Sequence, residues 1–337
     1  MIAAITHSRL LKTIINIVAI VALIFSIGIS VSYGAVDINL STVWQAIFQF
    51  DSSLTSHQVI QELRLPRAFG AALVGAFLAV SGAIMQGMTR NPLASPSIMG
   101  VTNGAAFTLV IMLAFFPNVS NIVLTLASFA GAGIAVVLVF LVGSYSSSGL
   151  TPVKLALAGV AIGTLLSSIS SIISLHFQLE KQMSFWFAGG LAGTNWTSIQ
   201  ILLISGGIGL FLALVIAKSI TILSLGEDIA SGLGQNNLLI KVLGIIAVLV
   251  LTGAAVSIAG TVGFIGLIIP HITRFMMGTD YRWIIPSSAI FGALLLVLAD
   301  VVARLINAPF ETPVGAITSL IGVPFFLYLA RGSGGGK

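Results

Sequence analysis

The chain contains no cysteine and very little charge. Without cysteine, its 337 residues can form neither a disulfide nor a cysteine-ligated metal site. Only 7% of the residues are charged, whereas soluble globular domains carry about 25%. These two shortages exclude a disulfide-rich secreted protein and a soluble globular one.

Hydrophobic residues make up 57% of the chain. Apolar runs of about 20 residues are long enough to cross a bilayer as helices, and ten such runs predict an all-α, polytopic membrane protein. The first run is too long for a signal peptide, and no small-residue cleavage site follows it. The segments between the runs are too short for a core of their own, which predicts one transmembrane domain over residues 1–337 and no soluble domain. The ten predicted spans are residues 13–33, 68–88, 98–116, 121–143, 155–174, 198–217, 241–258, 260–278, 284–305 and 312–330.

Basic residues fall unevenly on the two sides that ten spans define. If the N-terminus is cytoplasmic, only four of the 14 basic residues lie on the outer side. Cytoplasmic loops usually carry the excess of Lys and Arg, so we predict that both termini are cytoplasmic. The four outer residues are Arg64, Arg67, Lys181 and Arg304.

The order of the predicted spans indicates an inverted repeat. The second to fifth spans run in the opposite sense to the seventh to tenth, as in many transporters. The stretches AVSGAIMQGMTRNPLASPSIMG and AVSIAGTVGFIGLIIPHI share small residues and a break centred on proline, and little else.

No group of side chains has the spacing of a catalytic or metal site. The four histidines are scattered, and the terminal RGSGGGK lacks the residues and the preceding strand of a phosphate-binding loop. Asp300 is the one acid inside a predicted span, and Arg304 can neutralise it as an i,i+4 ion pair. We therefore expect no catalytic residue, metal or cofactor in this chain. Because an ion-driven carrier usually buries an ionisable relay, we expect any energy for pumping to come from elsewhere.

One predicted inner loop, SLGEDIASGLGQNN, has a short amphipathic pattern. Leu225, Ile229 and Leu233 recur every fourth residue and give a short helix one apolar stripe, and Gly234 can end this helix. Such a helix can dock into the groove of a partner protein or lie on lipid. Interfacial helices are usually rich in Lys and Arg, which this one lacks, so the sequence favours docking.

Five hydroxyl residues lie on one face of the predicted span 155–174. Such a stripe can line a wet transport pathway, or it can form hydrogen bonds between packed helices, and the residues alone do not decide between the two. The residues of this candidate pathway are Thr164, Ser167, Ser168, Ser171 and Ser174.

Three outer arginines lie at the ends of predicted spans. Arg64 and Arg67 are one helical turn apart at the start of the second span, and Arg304 is at the end of the ninth. They can be anchors whose side chains reach the membrane interface, or they can bind an acidic partner.

The stretch RLPRAFGAALVGAFLAVSGAIMQGMTRNPLASPSIMGVTNGAAF resembles the signature region of the FecCD family. Members of this family are ten-helix permease subunits of type II ABC importers for iron–siderophore complexes, haem and vitamin B12. Four later stretches, LSLGEDIASGLG, GFIGLIIPHITRF, ADVVAR and ETPVGAITSLIGVPFFLYLAR, match further blocks of the family in the expected order. The first and last blocks are most similar to the iron–siderophore branch.

The resemblance implies the permease subunit of an ATP-driven importer in the cytoplasmic membrane of a bacterium. It implies a second permease subunit, identical or not, and two cytoplasmic ATPase subunits that hold ATP and Mg²⁺. It also implies an extracytoplasmic binding protein that delivers the ligand, and no nucleic acid. The alternatives are an ion-coupled secondary transporter of a small organic molecule and an ABC importer subunit for vitamin B12 or haem.

The resemblance also assigns roles to particular residues. The outer arginines Arg64, Arg67 and Arg304 correspond to those that dock the binding protein in the family. The loop that contacts the ATPase corresponds to the segment from 226 to 234. The residues expected to couple this chain to the ATPase are Gly226, Glu227, Asp228, Ile229, Leu233 and Gly234.

Overall fold

The computed structural model describes residues 8–34, 38–96, 100–144, 152–308 and 310–333. All regular secondary structure in these residues is helical, which confirms the predicted all-α class. Both chain termini, whose side of the membrane was predicted, lie outside the described residues. The α-helices are α1 Arg9–Ser32, α2 Leu40–Phe48, α3 Thr55–Val59, α4 Leu65–Thr89, α5 Val101–Phe115, α6 Asn121–Ser144, α7 Pro152–His176, α8 Glu180–Ala188, α9 Trp196–Ser224, α10 Glu227–Gly232, α11 Asn237–Ala259, α12 Ile265–Met277, α13 Tyr281–Leu305 and α14 Val314–Ser333.

The long helices coincide with the predicted membrane spans. Within the described residues, seven helical segments are long and apolar enough to cross a membrane. Three shorter apolar helices, α5, α12 and α14, coincide with the remaining predicted runs. The described residues therefore contain seven helical segments that suit a polytopic membrane protein, while the total of ten spans and the inverted repeat remain predictions.

Two ends of the helix bundle are named after the predicted orientation. The outer end is where α1 and α13 end and α4 begins, and the inner end is where α9 and α12 end and α13 begins. At the inner end Asp280 caps α13, since its side chain accepts a hydrogen bond of 3.0 Å from the backbone N–H of Arg282. Hydrogen bonds from the Arg282 side chain hold the pKa of Asp280 below its usual range.

The central element of the bundle is α4, which packs against α9, α11, α12 and α13. Helix α4 is continuous with α3 through a π-helical turn over Ile60–Arg64. The helical segment that contains the second predicted span therefore begins at Thr55 instead of residue 68. Its 35 residues extend about 50 Å at 1.5 Å per residue, well beyond a hydrocarbon layer of about 30 Å. The π turn precedes Pro66, whose missing N–H prevents regular helical bonding there.

Glycines bring the backbone of α4 into contact with its neighbours. A Cβ atom at Gly75 would overlap the backbone of Gly292 on α13, and one at Gly82 would overlap the backbone of Gly266 on α12. Small residues at such crossings allow membrane helices to approach closely. As a result, 83% of an 18-residue apolar stretch in the segment Thr55–Thr89 is buried, compared with 22% of such a stretch in α1.

The predicted span 260–278 is wrong over its first five residues. Helix α11 ends at Ala259, residues 260–264 are not helical, and α12 begins at Ile265. The predicted outer segment 175–197 is also more than a loop, because it contains α8. The hydroxyl of Thr261 in the break donates a hydrogen bond to the Phe187 carbonyl of α8, so the two irregular segments meet.

Candidate functional site

Asp300 is the centre of an ion-pair cluster at the outer end. Its side chain is fully buried. Arg67 holds it through two nitrogens, with Nη2 3.0 Å and Nε 3.1 Å from Oδ1. Arg304 Nε lies 3.2 Å from Oδ2, which confirms the predicted i,i+4 pair. The pairing with Arg67 was not predicted, because α4 and α13 are far apart in sequence and meet only in the folded chain.

A second carboxylate reaches Arg67 from the loop before α14. Glu311 Oε1 lies 2.6 Å from Arg67 Nη1, and the Glu311 side chain is 51% exposed. Arg67 itself is only 12% exposed. The guanidinium is therefore shared between one buried and one solvent-facing acid, and the second pair should contribute much less stability than the first.

Two of the arginines also bind the end of α1. Arg64 Nη1 donates hydrogen bonds to the carbonyls of Val31 at 2.7 Å and Ser32 at 2.8 Å. Arg304 Nη1 donates one to the Tyr33 carbonyl at 2.9 Å. The last carbonyls of a helix lack partners within it and carry partial negative charge, so cations stabilise this end.

The outer cluster, which consists of Arg64, Arg67, Asp300, Arg304 and Glu311, therefore has a structural role. The sequence predicted this role only for the pair of Asp300 and Arg304. Arg64, Arg67 and Arg304 connect α1, α4 and α13, and this uses much of their hydrogen-bonding capacity. Against Asp300 and Glu311, the three arginines still leave one excess positive charge. Their proposed contact with an acidic partner remains a prediction.

At the inner end, α10 forms where the sequence predicted a short helix. The predicted apolar stripe faces away from the chain, since Leu225 is 60%, Ile229 52% and Leu233 67% exposed. On the neighbouring face of the helix, Ala230 is fully buried. The helix is thus fixed to the subunit on one side and presents an uncovered apolar row on the other.

Gly234 ends α10 as predicted, with φ at +77°. The N–H of Gln235 donates a hydrogen bond of 3.0 Å to the Ala230 carbonyl, and the N–H of Gly234 donates one of 2.9 Å to the Ser231 carbonyl. These two bonds form a Schellman motif, whose left-handed residue is usually glycine. An ion pair of 2.8 Å between Glu227 and Lys241 fixes the other end of α10 to α11.

Beside the break at residues 260–264 lies a cavity of about 550 Å³. Irregular backbone at membrane depth is tolerated where it lines a cavity or is buried in protein. Sequence analysis missed this site, although Gly260 and Gly263 in AGTVGF were a signal that the helix could break there. Its polar lining residues include Ser95, Thr102, Asn103, Thr252, Thr261 and Ser319.

Phe264 lies at the edge of this cavity in a strained conformation. Its φ of +67° falls in the left-handed region, which bulky residues rarely adopt. Its ring occupies the space that a side chain at Gly322 of α14 would need. The missing side chain of Gly322 therefore makes room for the ring, and the fold holds a strained residue in the wall of the cavity.

The hydroxyl stripe on α7 divides into exposed and buried members. Thr164, Ser168 and Ser171 are exposed, whereas Ser174 is buried beside a second cavity of about 350 Å³. Thr164 and Ser171 donate hydrogen bonds of 2.8 and 2.9 Å to carbonyls one turn earlier in the same helix. The exposed members are therefore not packing contacts between helices of this chain, and a pathway role for the stripe remains a prediction.

These features define the class of the protein. It is a multi-pass helical membrane protein with a partly polar cavity beside the irregular segment 260–264. Residues 22–332 match the FecCD transport family, and the chain belongs to that family.

Several known proteins are similar over most of their length. The iron(3+)-hydroxamate import system permease protein FhuB of Bacillus subtilis (strain 168) is 63% identical over 303 residues, 90% of this chain and 79% of FhuB. The iron-uptake system permease protein FeuB of the same organism is 44% identical over 98% of both chains. A solved structure described as an inward-facing metal-chelate type ABC transporter has a TM-score of 0.82 at 31% identity, covering 94% of this chain and 98% of that one.

The outer cluster leads to a prediction about stability. Asp300→Asn removes the shared counter-ion of two largely buried arginines and should lower the free energy of unfolding by about 3 kcal/mol or more. Glu311→Gln makes the same chemical change at a half-exposed partner of Arg67 and should cost less than about 1 kcal/mol. Denaturant titration in detergent micelles measures both. Equal losses in the two variants would show that burial of Asp300 does not give it the larger share.

Proposed function

We propose that this chain is the transmembrane permease subunit of an ATP-driven ABC importer that carries iron(III)–siderophore complexes, of the hydroxamate type, into the cytoplasm. The observation that carries the proposal is the 63% identity to the iron(3+)-hydroxamate permease FhuB over 90% of this chain. Identity to FeuB and the likeness to a metal-chelate type transporter support the same substrate class.

The architecture that fits this role is one permease domain of ten spans with both termini in the cytoplasm. The seven long helices and the three shorter apolar helices of the described residues support that number. The exposed part of the hydroxyl stripe on α7 would face a second permease subunit, identical or different, across a shared pathway. Thr164, Ser168 and Ser171 suit such a surface, because their hydroxyls are already satisfied or exposed and would bind a passing chelate weakly.

The energy would come from two cytoplasmic ATPase subunits, which bind ATP and Mg²⁺. The apolar stripe of α10 supports this assignment, since an uncovered row of large apolar side chains suits the groove of a partner. At the outer end, the excess charge of the arginine cluster supports docking of an extracytoplasmic binding protein with acidic groups.

A secondary carrier is the second candidate. Such a carrier usually has ionisable residues within the membrane that are free to gain or lose an ion. Among the described residues, Asp300 is held by both Arg67 and Arg304, and no group of three or more His, Asp and Glu could hold a metal ion. This arrangement favours the ATP-driven importer.

Transport in a reconstituted system tests the proposal. Proteoliposomes containing this chain, its ATPase and its binding protein should accumulate a radioactive ferric trihydroxamate only when ATP is present on the cytoplasmic side. A ferric catecholate and cobalamin serve as competing ligands and should be carried poorly. Uptake that proceeds without the ATPase and stops with an ionophore would establish the secondary carrier instead.

The exposed stripe of α10 gives a prediction about the ATPase. Ile229→Asp places a carboxylate in the proposed apolar contact and should weaken association by a few kcal/mol, because a charge cannot be buried there without a partner. The subunit itself should remain stable, since Ile229 is 52% exposed in the free chain. Co-purification of the ATPase with the permease measures the effect.

The matched control for this prediction is Ser231→Asp. It adds the same charge to the same helix, on the face opposite the stripe, and its carboxylate can still accept the hydrogen bond from Asn237. We expect normal association for this variant. If the two variants retain the ATPase equally, the apolar stripe is not the docking surface.

The outer cluster gives a prediction about the binding protein. Arg64→Gln removes one positive charge while leaving the Asp300 ion pairs in place, and it should weaken docking at least tenfold, about 1.4 kcal/mol. The loss should shrink as salt rises, because salt screens the attraction between the charged surfaces of the two proteins. Lys181→Gln removes an exposed outer charge away from the cluster and should leave docking unchanged. Surface plasmon resonance on permease in nanodiscs measures both affinities, and equal losses would show a general charge effect with no special role for Arg64.

A further inference from the structure

Proline interrupts the hydrogen bonding of α12 beside the cavity. Pro270 has no N–H, so the carbonyl of Gly266, four residues earlier, lacks its usual partner within the helix. The side chain of Gln86 on α4 supplies a replacement. Its Nε2 donates to the Gly266 carbonyl at 3.2 Å and approaches the Leu267 carbonyl at 3.4 Å.

The surroundings of Gln86 keep this contact dry. Gln86 is 3% exposed. Gly82, one turn earlier on the same face of α4, touches the Gly266 backbone so closely that a Cβ atom would overlap it. Gly266 itself lines the cavity. The amide of Gln86 therefore holds one point of the cavity wall, from a position where water does not compete.

The oxygen of the same side-chain amide faces the inner end of the bundle. Gln86 Oε1 accepts a hydrogen bond of 2.5 Å from Nη2 of Arg274, which lies in the last turn of α12. The positive charge of Arg274 also interacts electrostatically with the phenol of the buried Tyr281. The backbone N–H of Tyr281 donates to the Thr221 hydroxyl at 2.9 Å.

Thr221 places this set of contacts close to α10 in the sequence. It lies in the last turns of α9, and only Leu225 and Gly226 separate the end of α9 from α10. A series of polar interactions thus runs from Thr221 near the end of α9, through Tyr281, Arg274 and Gln86, to the cavity wall at Gly266.

The element that this series reaches, α12, contains an internal proline. A helix that contains an internal proline has a weak point in its hydrogen bonding, where it bends readily. Immediately before α12, Phe264 is held in the left-handed region and Gly263 precedes it. Residues that absorb large backbone changes lie at such ends of elements.

We propose that Gln86 is a positioning residue for coupling: its amide joins the cavity wall at Gly266 to Arg274, so that displacement of the inner end by the ATPase changes the shape of the cavity. This inference rests on the proposed function, because it assumes that an ATPase docks at α10. It adds a role for a buried glutamine that contacts neither the ATPase stripe nor the outer cluster.

The decisive measurement is the number of chelate molecules imported per ATP hydrolysed, in proteoliposomes with the complete transporter. Gln86→Met removes both hydrogen bonds, and Gln86→Glu keeps an acceptor for Arg274 but removes the donor to Gly266. We expect both variants to retain the ATPase and to hydrolyse ATP within twofold of the wild type, while the import ratio falls at least tenfold. Arg274→Lys keeps a cationic donor and should preserve more of the ratio than Arg274→Met.

The matched control is Gln61→Met, which also removes an amide hydrogen bond to a backbone carbonyl, of 2.8 Å to Ala46, at the outer end. Its import ratio should equal that of the wild type. An unchanged ratio in Gln86→Glu would overturn the proposal. So would loss of the subunit or its ATPase in both Gln86 variants, because Gln86 would then only hold the fold together. Failure of the proposed function is distinguishable, since the wild type itself would then show no ATP-dependent import.

Discussion

In the hydrocarbon layer, a backbone carbonyl without a hydrogen-bond partner costs several kcal/mol, because no water is available to pair with it. This constraint explains the polar side chains at the interruptions of the helices. Gln86 pairs with the carbonyl that Pro270 leaves free, Thr261 pairs with the end of α8, and Arg64 pairs with the end of α1. Each of these groups completes the hydrogen bonding of a helix to which it does not belong, and by doing so it joins two segments of the chain.

The outer cluster has a structural role within the chain, and docking is a second role that we propose for it. Arg67 and Arg304 neutralise the buried Asp300, and this ties α4 to α13 independently of any partner protein. Docking would therefore depend on the features that the internal contacts do not use. These are the one excess positive charge of the cluster and the half-exposed surface around Glu311. Buried pairs supply rigidity, while exposed charges supply attraction that depends on salt.

Helix α4 contains both a residue of the outer cluster and the proposed coupling residue. Arg67 lies in the first turn of α4 and Gln86 near its last, roughly 30 Å apart along the helix axis at 1.5 Å per residue. Glycine contacts with α12 and α13 bury most of α4 between these points, so it is well suited to act as a rigid member. Helix α12, which contains a proline, packs beside α4, and both α12 and the irregular segment 260–264 contribute residues to the cavity wall.

The sequence by itself determined the class of the protein, its helical runs, the amphipathic α10 with its stop at Gly234, and the ion pair of Asp300 with Arg304. All of these depend on local composition or on spacings of three to four residues, which the period of the α-helix translates directly into shared faces. Only the tertiary structure decided that Arg67 binds Asp300, that Gln86 binds Gly266, and that the run 260–278 breaks before Ile265. The first two are contacts between residues separated by most of the chain, and their sequence spacing carries no information about distance. The break is tolerated because a cavity and α8 lie beside it, and hydropathy alone cannot distinguish an apolar segment facing a cavity from one that spans lipid.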